Sequence, residues 1–272
     1  MTGVSERAET YTHGHDESVL RSHRWRTVEN SAAYLRPLLV PGVTVLDVGC
    51  GPGTITNDIA QHVAPGRVRG IDASADVIAL ASEASAGDGP ANVSFATGDV
   101  YALDLADGSV DVVHAHQVLQ HVGDPVSALG EMRRVCRPGG VVAARDSVYR
   151  AMSWYPRSDG LERWLALYCQ VAEANGGEPD AGSHLRAWAL QAGCSDVTTS
   201  ASAWCYATSD ERAWWGGLWA DRIVGTALGA RAVELGLSDP RELQDLAAAW
   251  RAWAATDDAW FAVLHGEILA TP

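Results

Sequence analysis

Val45-Leu46-Asp47-Val48-Gly49-Cys50-Gly51-Pro52-Gly53-Thr54 is the stretch on which the reading of this chain turns. Val43, Val45, Leu46 and Val48 make the apolar, β-branched run of a buried strand. Three glycines at alternate positions then let the backbone turn sharply and approach a ligand with no Cβ in the way. A helix starting near Thr54 would aim free N–H groups and the positive end of its dipole at whatever lies over the turn. A nucleotide-like group is the natural occupant of such a cradle.

A dinucleotide loop wants a third glycine where this chain has Thr54. Asp47-x-Gly49-x-Gly51-x-Gly53 closing a first strand resembles instead the S-adenosylmethionine (SAM) site of class I methyltransferases. Arg67 to Asp72 reads as a second strand ending in a carboxylate, 19 positions after Gly53. An ionised carboxylate there can accept both hydroxyl protons of a ribose diol, with Ala73 beside it. The following Ser74 also suits an ordinary helix cap, and both roles can hold at once. Asn92 to Val100 reads as a third strand ending in Gly98-Asp99-Val100. The resemblance implies that Asp99 accepts a hydrogen bond from the adenine amino group, although Gly-Asp after a strand is also common turn chemistry.

Val110 to His116 gives a fourth strand, continuing into Gln117-Val118-Leu119-Gln120-His121. An amphipathic helix follows from Asp124 to Cys136, is broken by Arg137-Pro138-Gly139-Gly140, and leads to a fifth strand at Val141 to Ala144. Strands alternating with helices at this spacing specify an α/β fold with a doubly wound, mostly parallel sheet. The run LQHVGDP…ALGEMRRVCRPGG is similar to methyltransferases of the ubiquinone/menaquinone-biosynthesis type and their small-molecule relatives. The likeness covers about residues 40 to 148. It implies a seven-stranded Rossmann-like sheet with an antiparallel last strand, and SAM as cofactor. The expected organisation is an N-terminal helical lid (1–40), a SAM-binding core (41–207), an inserted helical cap (208–257) and a final strand (258–272).

Composition narrows the partners. The formal charge of −14 argues against a phosphate-backbone partner, which needs a basic surface. No apolar run reaches 18 residues and no signal peptide is evident, so a cytoplasmic protein without a membrane span is expected. Five cysteines, at 50, 136, 169, 194 and 205, show no metal-type pairing and read as reduced thiols. All 20 basic side chains are arginine, which excludes lysine Schiff-base chemistry and any Tyr-x-x-x-Lys catalytic pair. Ten of the 11 tryptophans lie after residue 150. The second half reads as helices at about 158–175 and 183–192 and a strand from Asp196 to Tyr206. A helical block follows over about 209–255, interrupted near Gly236 and Asp239-Pro240, and a strand from Trp260 to Leu269 pairs antiparallel with the previous one.

Trp214, Leu218, Trp250 and Trp253 either glue cap helices to the sheet or line an apolar pocket for an aromatic acceptor. Trp154 and Tyr155, just after the fifth strand, are the first candidates for substrate contact, with Trp214 beside them. At the N-terminus, Asp16 or Ser18 suits a helix cap and Asn30 to Leu39 a second helix. In related enzymes this segment folds over SAM, so Tyr11, Trp25 and Arg26 are candidate cofactor contacts. His13, His15 and His23 have no carboxylate partner at ligand spacing, and no metal is expected. Asp47, Gly49, Cys50, Gly51, Gly53, Thr54, Asp72, Ala73, Gly98, Asp99, Val100, His116 and Gln117 complete the expected cofactor site. His116, then His121, are the candidate catalytic residues, because a neutral imidazole can take the proton an acceptor must lose. Two other readings stay open: an NAD(P)-dependent oxidoreductase on the same sheet, and a SAM-binding partner protein without chemistry.

Overall fold

Four runs of apolar residues form the parallel heart of a sheet: β1 (Val45–Val48), β2 (Val68–Asp72), β3 (Val93–Thr97) and β4 (Val110–His116). The computed structural model describes residues 25–87 and 89–272. Tyr11, His13, His15, His23 and the helix expected from Asp16 or Ser18 lie outside the described residues. Every residue of β1 is buried, as expected of a strand covered on both faces. β5 (Cys136–Ser147) pairs parallel with β4. β8 (Trp260–Thr271) inserts antiparallel between β5 and β7 (Ser195–Tyr206).

The sheet has eight strands in the order β3-β2-β1-β4-β5-β8-β6, with β7 on the other side of β8. The expectation of seven is corrected by β6 (Ser153–Tyr155). The reason lies in the length of β8, which pairs with β5 only from His265 onward. Its first residues would leave backbone groups unpaired on that side. The chain returns after β5 and fills the gap, with Ser153, Trp154 and Tyr155 opposite Ala262, Phe261 and Trp260.

Helices α2 (Thr54–Val63), α3 (Ala75–Ser85), α4 (Pro125–Val135), α5 (Asp159–Ala174) and α6 (Ala181–Gln191) follow the sequence pattern closely. The single helix expected over Asn30 to Leu39 is not formed. A four-residue turn α1 (Val28–Ser31), held by a Thr27–Asn30 capping box, gives way to a 3-10 segment, Ala33–Leu38. Pro37 lacks an N–H and disfavours helical backbone at Arg36, which explains why no longer α-helix propagates. The helical block expected over about 209–255 is α7 (Ser209–Gly225), α8 (Ala227–Glu234) and α9 (Pro240–Ala254). The breaks near Gly236 and Asp239-Pro240 are present, and a further one falls at Thr226, whose extended backbone ends α7 and whose hydroxyl caps α8 at Leu228. Among the described residues no helix is long and apolar enough to cross a membrane.

Three apolar clusters hold the layers together. One joins α1, the 3-10 segment and α2 to one sheet face, and a second joins α4 and α6 to the other. The third, rich in aromatic rings, joins α5, α7, α8 and α9 to β7 and β8. Trp164, Trp219 and Trp250 are fully buried there, with Trp164 meeting Trp219 at 4.5 Å and Trp250 at 4.7 Å, both edge-to-face. Such pairs contribute about 0.5–1.5 kcal/mol each beyond the area they bury. Trp250, Trp253 and Leu218 therefore take the core role. Trp154 stacks on Phe261 at 5.7 Å.

Candidate active site

The carboxyl ends of β1 to β4 converge where strand order reverses between β1 and β4, the place where open α/β sheets bind ligands. A cavity of about 310 Å³ opens there. Gly49, Cys50, Gly51, Thr54, Asp72, Ala73, Gly98, Asp99, Val100, His116 and Gln117 all line it, as do Trp25, Arg26 and Asp47.

The three glycines of the turn have different tasks, although all have positive φ (65°, 56° and 80°). A Cβ on Gly49 would fall 2.4 Å from Val118 Cγ2, and one on Gly53 would fall 2.7 Å from Phe95 Cζ. Gly53 thus makes room for Phe95 behind the turn and is not among the residues that line the cavity. Gly51 is on the wall, and its N–H donates to Asp72 Oδ2 at 3.1 Å. Asp72 Oδ1 accepts from the Ser74 N–H at 3.0 Å. The β2 carboxylate therefore clamps the β1 turn, and each oxygen keeps a lone pair for a ligand. Asp47 is fixed inward, accepting from Thr56 Oγ1 at 2.6 Å and meeting His114 Nδ1 at 2.8 Å. Its carboxylate ties β1 to α2 and β4. Asp99 Oδ1 accepts from the Tyr101 N–H at 2.9 Å, and burial pushes the Cys50 thiol pKa up.

At the tip of β4, His116 is 5% exposed, and neither ring nitrogen has a hydrogen-bond partner among the described residues. Burial, then the nearby Arg26 and Arg145 guanidinium groups, hold its pKa well below the ordinary imidazole value. His121 is pushed down to about 3 by burial and Arg26. Both lining imidazoles are neutral at physiological pH. Gln117 has φ of +55°, uncommon for a residue with a side chain. Its contacts account for the strain: Oε1 accepts from Arg26 Nη2 at 2.5 Å and Nε2 donates to Ser147 Oγ at 2.7 Å. Behind the cavity, Arg145 pairs with Glu267 at 3.2 Å and lies over the Trp204 ring at 4.9 Å. Ser200 and Ser202 donate to the same glutamate.

The loop after β4 is pinned by a buried acid. Asp146 accepts from the Gln120 N–H at 3.1 Å, and burial raises its pKa to about 7. Its unfolded value is about 3.9. Between these values the unfolded chain has lost the proton that the native state keeps, so stability falls as pH rises from about 4 to about 7. Asp146→Asn keeps the accepting oxygen and removes the ionisation. It is expected to raise the melting temperature by several degrees at pH 8 and by much less at pH 5, and an equal shift at both would refute the assignment.

The remaining wall is aromatic. Trp204 and Tyr206 alternate along β7 on one face, while Trp215, Trp219 and Arg222 follow one stripe of α7. Tyr206 stacks on Trp215 at 4.3 Å, and Trp25 reaches Trp204 at 5.5 Å and Trp214 at 5.6 Å. Trp214 lines the cavity, together with Tyr149 and Met152. Trp154 and Tyr155, the first candidates for substrate contact, are not among the lining residues. Pairing with β8 lays the half-buried Trp154 against the aromatic cluster, and Tyr155 is 55% exposed. Sequence reading missed Trp204, Tyr206, Trp215, Trp219 and Arg222. An i, i+2 pair on a strand and an i, i+4, i+7 stripe holding one charge among tryptophans were the available signals.

A family profile described as "Methyltransferase domain" matches residues 39–204. An uncharacterized methyltransferase of Schizosaccharomyces pombe is 33% identical over 268 residues, covering 95% of both chains. The ubiquinone/menaquinone biosynthesis C-methyltransferase UbiE of Bdellovibrio bacteriovorus is 38% identical over 101 residues, 37% of this chain and 43% of that protein. Among solved structures, a phosphoethanolamine N-methyltransferase of Haemonchus contortus, in complex with phosphomonomethylethanolamine and S-adenosylhomocysteine, shares the fold. Its TM-score is 0.53 at 18% identity, with 85% of this chain and 49% of that one covered. With a full-length relative at this identity and a family profile spanning more than half of its length, the chain belongs to the class I SAM-dependent methyltransferases.

Proposed function

We propose that the cavity holds SAM at its glycine-turn end and methylates a small, apolar or aromatic molecule at its tryptophan end. The carrying observation is the division of that one cavity. Its lining carboxylates among the described residues, Asp47, Asp72 and Asp99, all come from strand tips around the turn, while its other end is walled by indole rings. The acidic end suits a cationic sulfonium, and the Gly51–Asp72 clamp leaves lone pairs for a ribose diol, so the residues present fit the group. Asp99 would face the adenine, and Arg26, with Trp25, would meet the amino-acid end. When bound, SAM supplies a methyl carbon already activated by its positive sulfur.

What the protein must add is alignment and exclusion of water. The aromatic wall excludes water. Gln117, held by Arg26 and Ser147, fixes the edge of β4. His116, neutral and with neither ring nitrogen hydrogen-bonded among the described residues, takes the proton of an O–H, N–H or acidic C–H acceptor. Five free cysteines, four of them buried, support a reducing cytoplasmic setting. The charge of −14 supports a small-molecule rather than nucleic-acid acceptor.

Titration calorimetry with SAM, S-adenosylhomocysteine and NAD tests the donor assignment. The first two should bind and NAD should not. Asp72→Ala should weaken SAM by about 1.5–3 kcal/mol, the loss expected for hydrogen bonds to a charged acceptor. NAD binding, or an unchanged SAM dissociation constant in a folded variant, would refute it.

A further inference from the structure

Midway along β8, behind the cavity wall, His265 is completely buried. Its Nδ1 lies 3.1 Å from the Val263 carbonyl oxygen and its Nε2 lies 3.0 Å from Gln117 Nε2. A backbone carbonyl can only accept, so Nδ1 carries the ring proton. Burial, then the Arg145 and Arg26 guanidinium groups, favours the uncharged ring and leaves Nε2 as a bare acceptor. Only an N–H of the Gln117 amide satisfies it. The second N–H of that amide donates to Ser147 Oγ at 2.7 Å. The amide oxygen is thereby turned away from His265, and it accepts from Arg26 Nη2 at 2.5 Å. With the amide reversed, its oxygen would meet the His265 lone pair and its N–H groups would meet the guanidinium. Both contacts are repulsive, so one backbone carbonyl on β8 decides the orientation of a side chain at the tip of β4. The Gln117 backbone is fixed as well, its N–H donating to the Arg145 carbonyl at 2.7 Å.

Arg26 and Arg222 are the arginines among the lining residues, and Arg26 is the one joined to the β4 tip. A long side chain that is already held in place spares a ligand the entropy of ordering it. We infer that His265 is a positioning residue for the methyl donor: it locks the Gln117 amide, and through that amide it sets the Arg26 guanidinium to receive the carboxylate of the donor's amino-acid end. The inference rests on the SAM reading of the cavity. His265 lies behind Gln117 and acts only through it, so its effect is confined to the end of the donor that Arg26 meets.

The test compares two ligands by calorimetry on the intact protein. One is S-adenosylhomocysteine; the other is methylthioadenosine, which keeps adenine, ribose and sulfur but lacks the amino-acid carboxylate. His265→Phe keeps a ring against Trp204, 4.4 Å away, and against His116, at 6.3 Å, but removes the Nε2 acceptor. It should weaken S-adenosylhomocysteine about fivefold or more and change methylthioadenosine less than about twofold. His265→Gln, whose amide oxygen can accept near the position of Nε2, should restore most of the loss. Ser147→Ala removes the other acceptor of the same amide and should show the same split, so the comparison survives even if the histidine variants fail to fold. Equal weakening of both ligands, or no weakening of either, overturns the positioning role and leaves the donor reading intact. Failure of the wild-type protein to bind S-adenosylhomocysteine overturns both.

Discussion

Gly51→Val is expected to lower SAM affinity at least ~100-fold, equivalent to about 2.8 kcal/mol, while the protein stays folded. The backbone at Gly51 has φ of +56°, and its N–H is the donor that Asp72 Oδ2 holds at 3.1 Å. A β-branched residue resists that conformation by roughly 1–2 kcal/mol. It can relieve the strain only by swinging the backbone away, which breaks the clamp on Asp72 and reshapes the cavity wall. The carboxylate proposed to hold the ribose then loses its orientation at the same time. For a chain of this size the strain alone should lower the melting temperature by roughly 2–8 °C. Calorimetry with SAM and S-adenosylhomocysteine, read beside thermal melts, separates binding loss from unfolding. A folded Gly51→Val protein with wild-type affinity would mean that the turn does not carry the donor. Gly53 provides the contrast, because its neighbour is Phe95 and its replacement should cost stability first.

That contrast also shows where the sequence was informative. Strand tips, the glycine turn and the acids after β2 and β3 are local features: residues within a few positions of one another decide them, and their chemistry follows from backbone conformation. The helix starts were legible for the same reason, since Asp124 and Asp239 cap α4 and α9 with their own side chains. The aromatic wall was not. Trp204 and Tyr206 reach the cavity only because β8, more than 50 residues later, inserts between β5 and β7. The same strand sets the place of Trp154, which pairs opposite Phe261 and stacks on its ring. The N-terminal helix failed for a local reason given too little weight, Pro37 within a short run. Gly53 shows the limit of motif reading: a shared glycine pattern does not say which glycine faces the ligand and which makes room for a neighbouring ring.

His116→Phe should lower kcat by 10²- to 10⁴-fold, the usual contribution of a positioned base, with SAM affinity changed less than about threefold. The imidazole is the last residue of β4, lines the cavity between its acidic and aromatic ends, and has two ring nitrogens without hydrogen-bond partners among the described residues. Phenylalanine keeps the packing against Trp204, 5.7 Å away, and the facing His265 at 6.3 Å, so the fold should survive. The pH dependence supplies the second readout. Burial, Arg26 and Arg145 favour the neutral ring, so its titration falls well below pH 6.5 and the base form is complete throughout pH 6–8. The wild-type kcat should therefore show no acid limb near 6.5, where an ordinary histidine base would give one. The depressed pKa makes the resting imidazole a weak base, but a negative group on the acceptor beside it would raise its proton affinity in the complex. Measurements use whichever member of a panel of phenols, amines, quinols and aromatic acids turns over. A His116→Phe enzyme with wild-type kcat would reduce the imidazole to a packing element. An inflection at 6.5 that vanished in the variant would retain it as the base but contradict the electrostatic account of its neutrality.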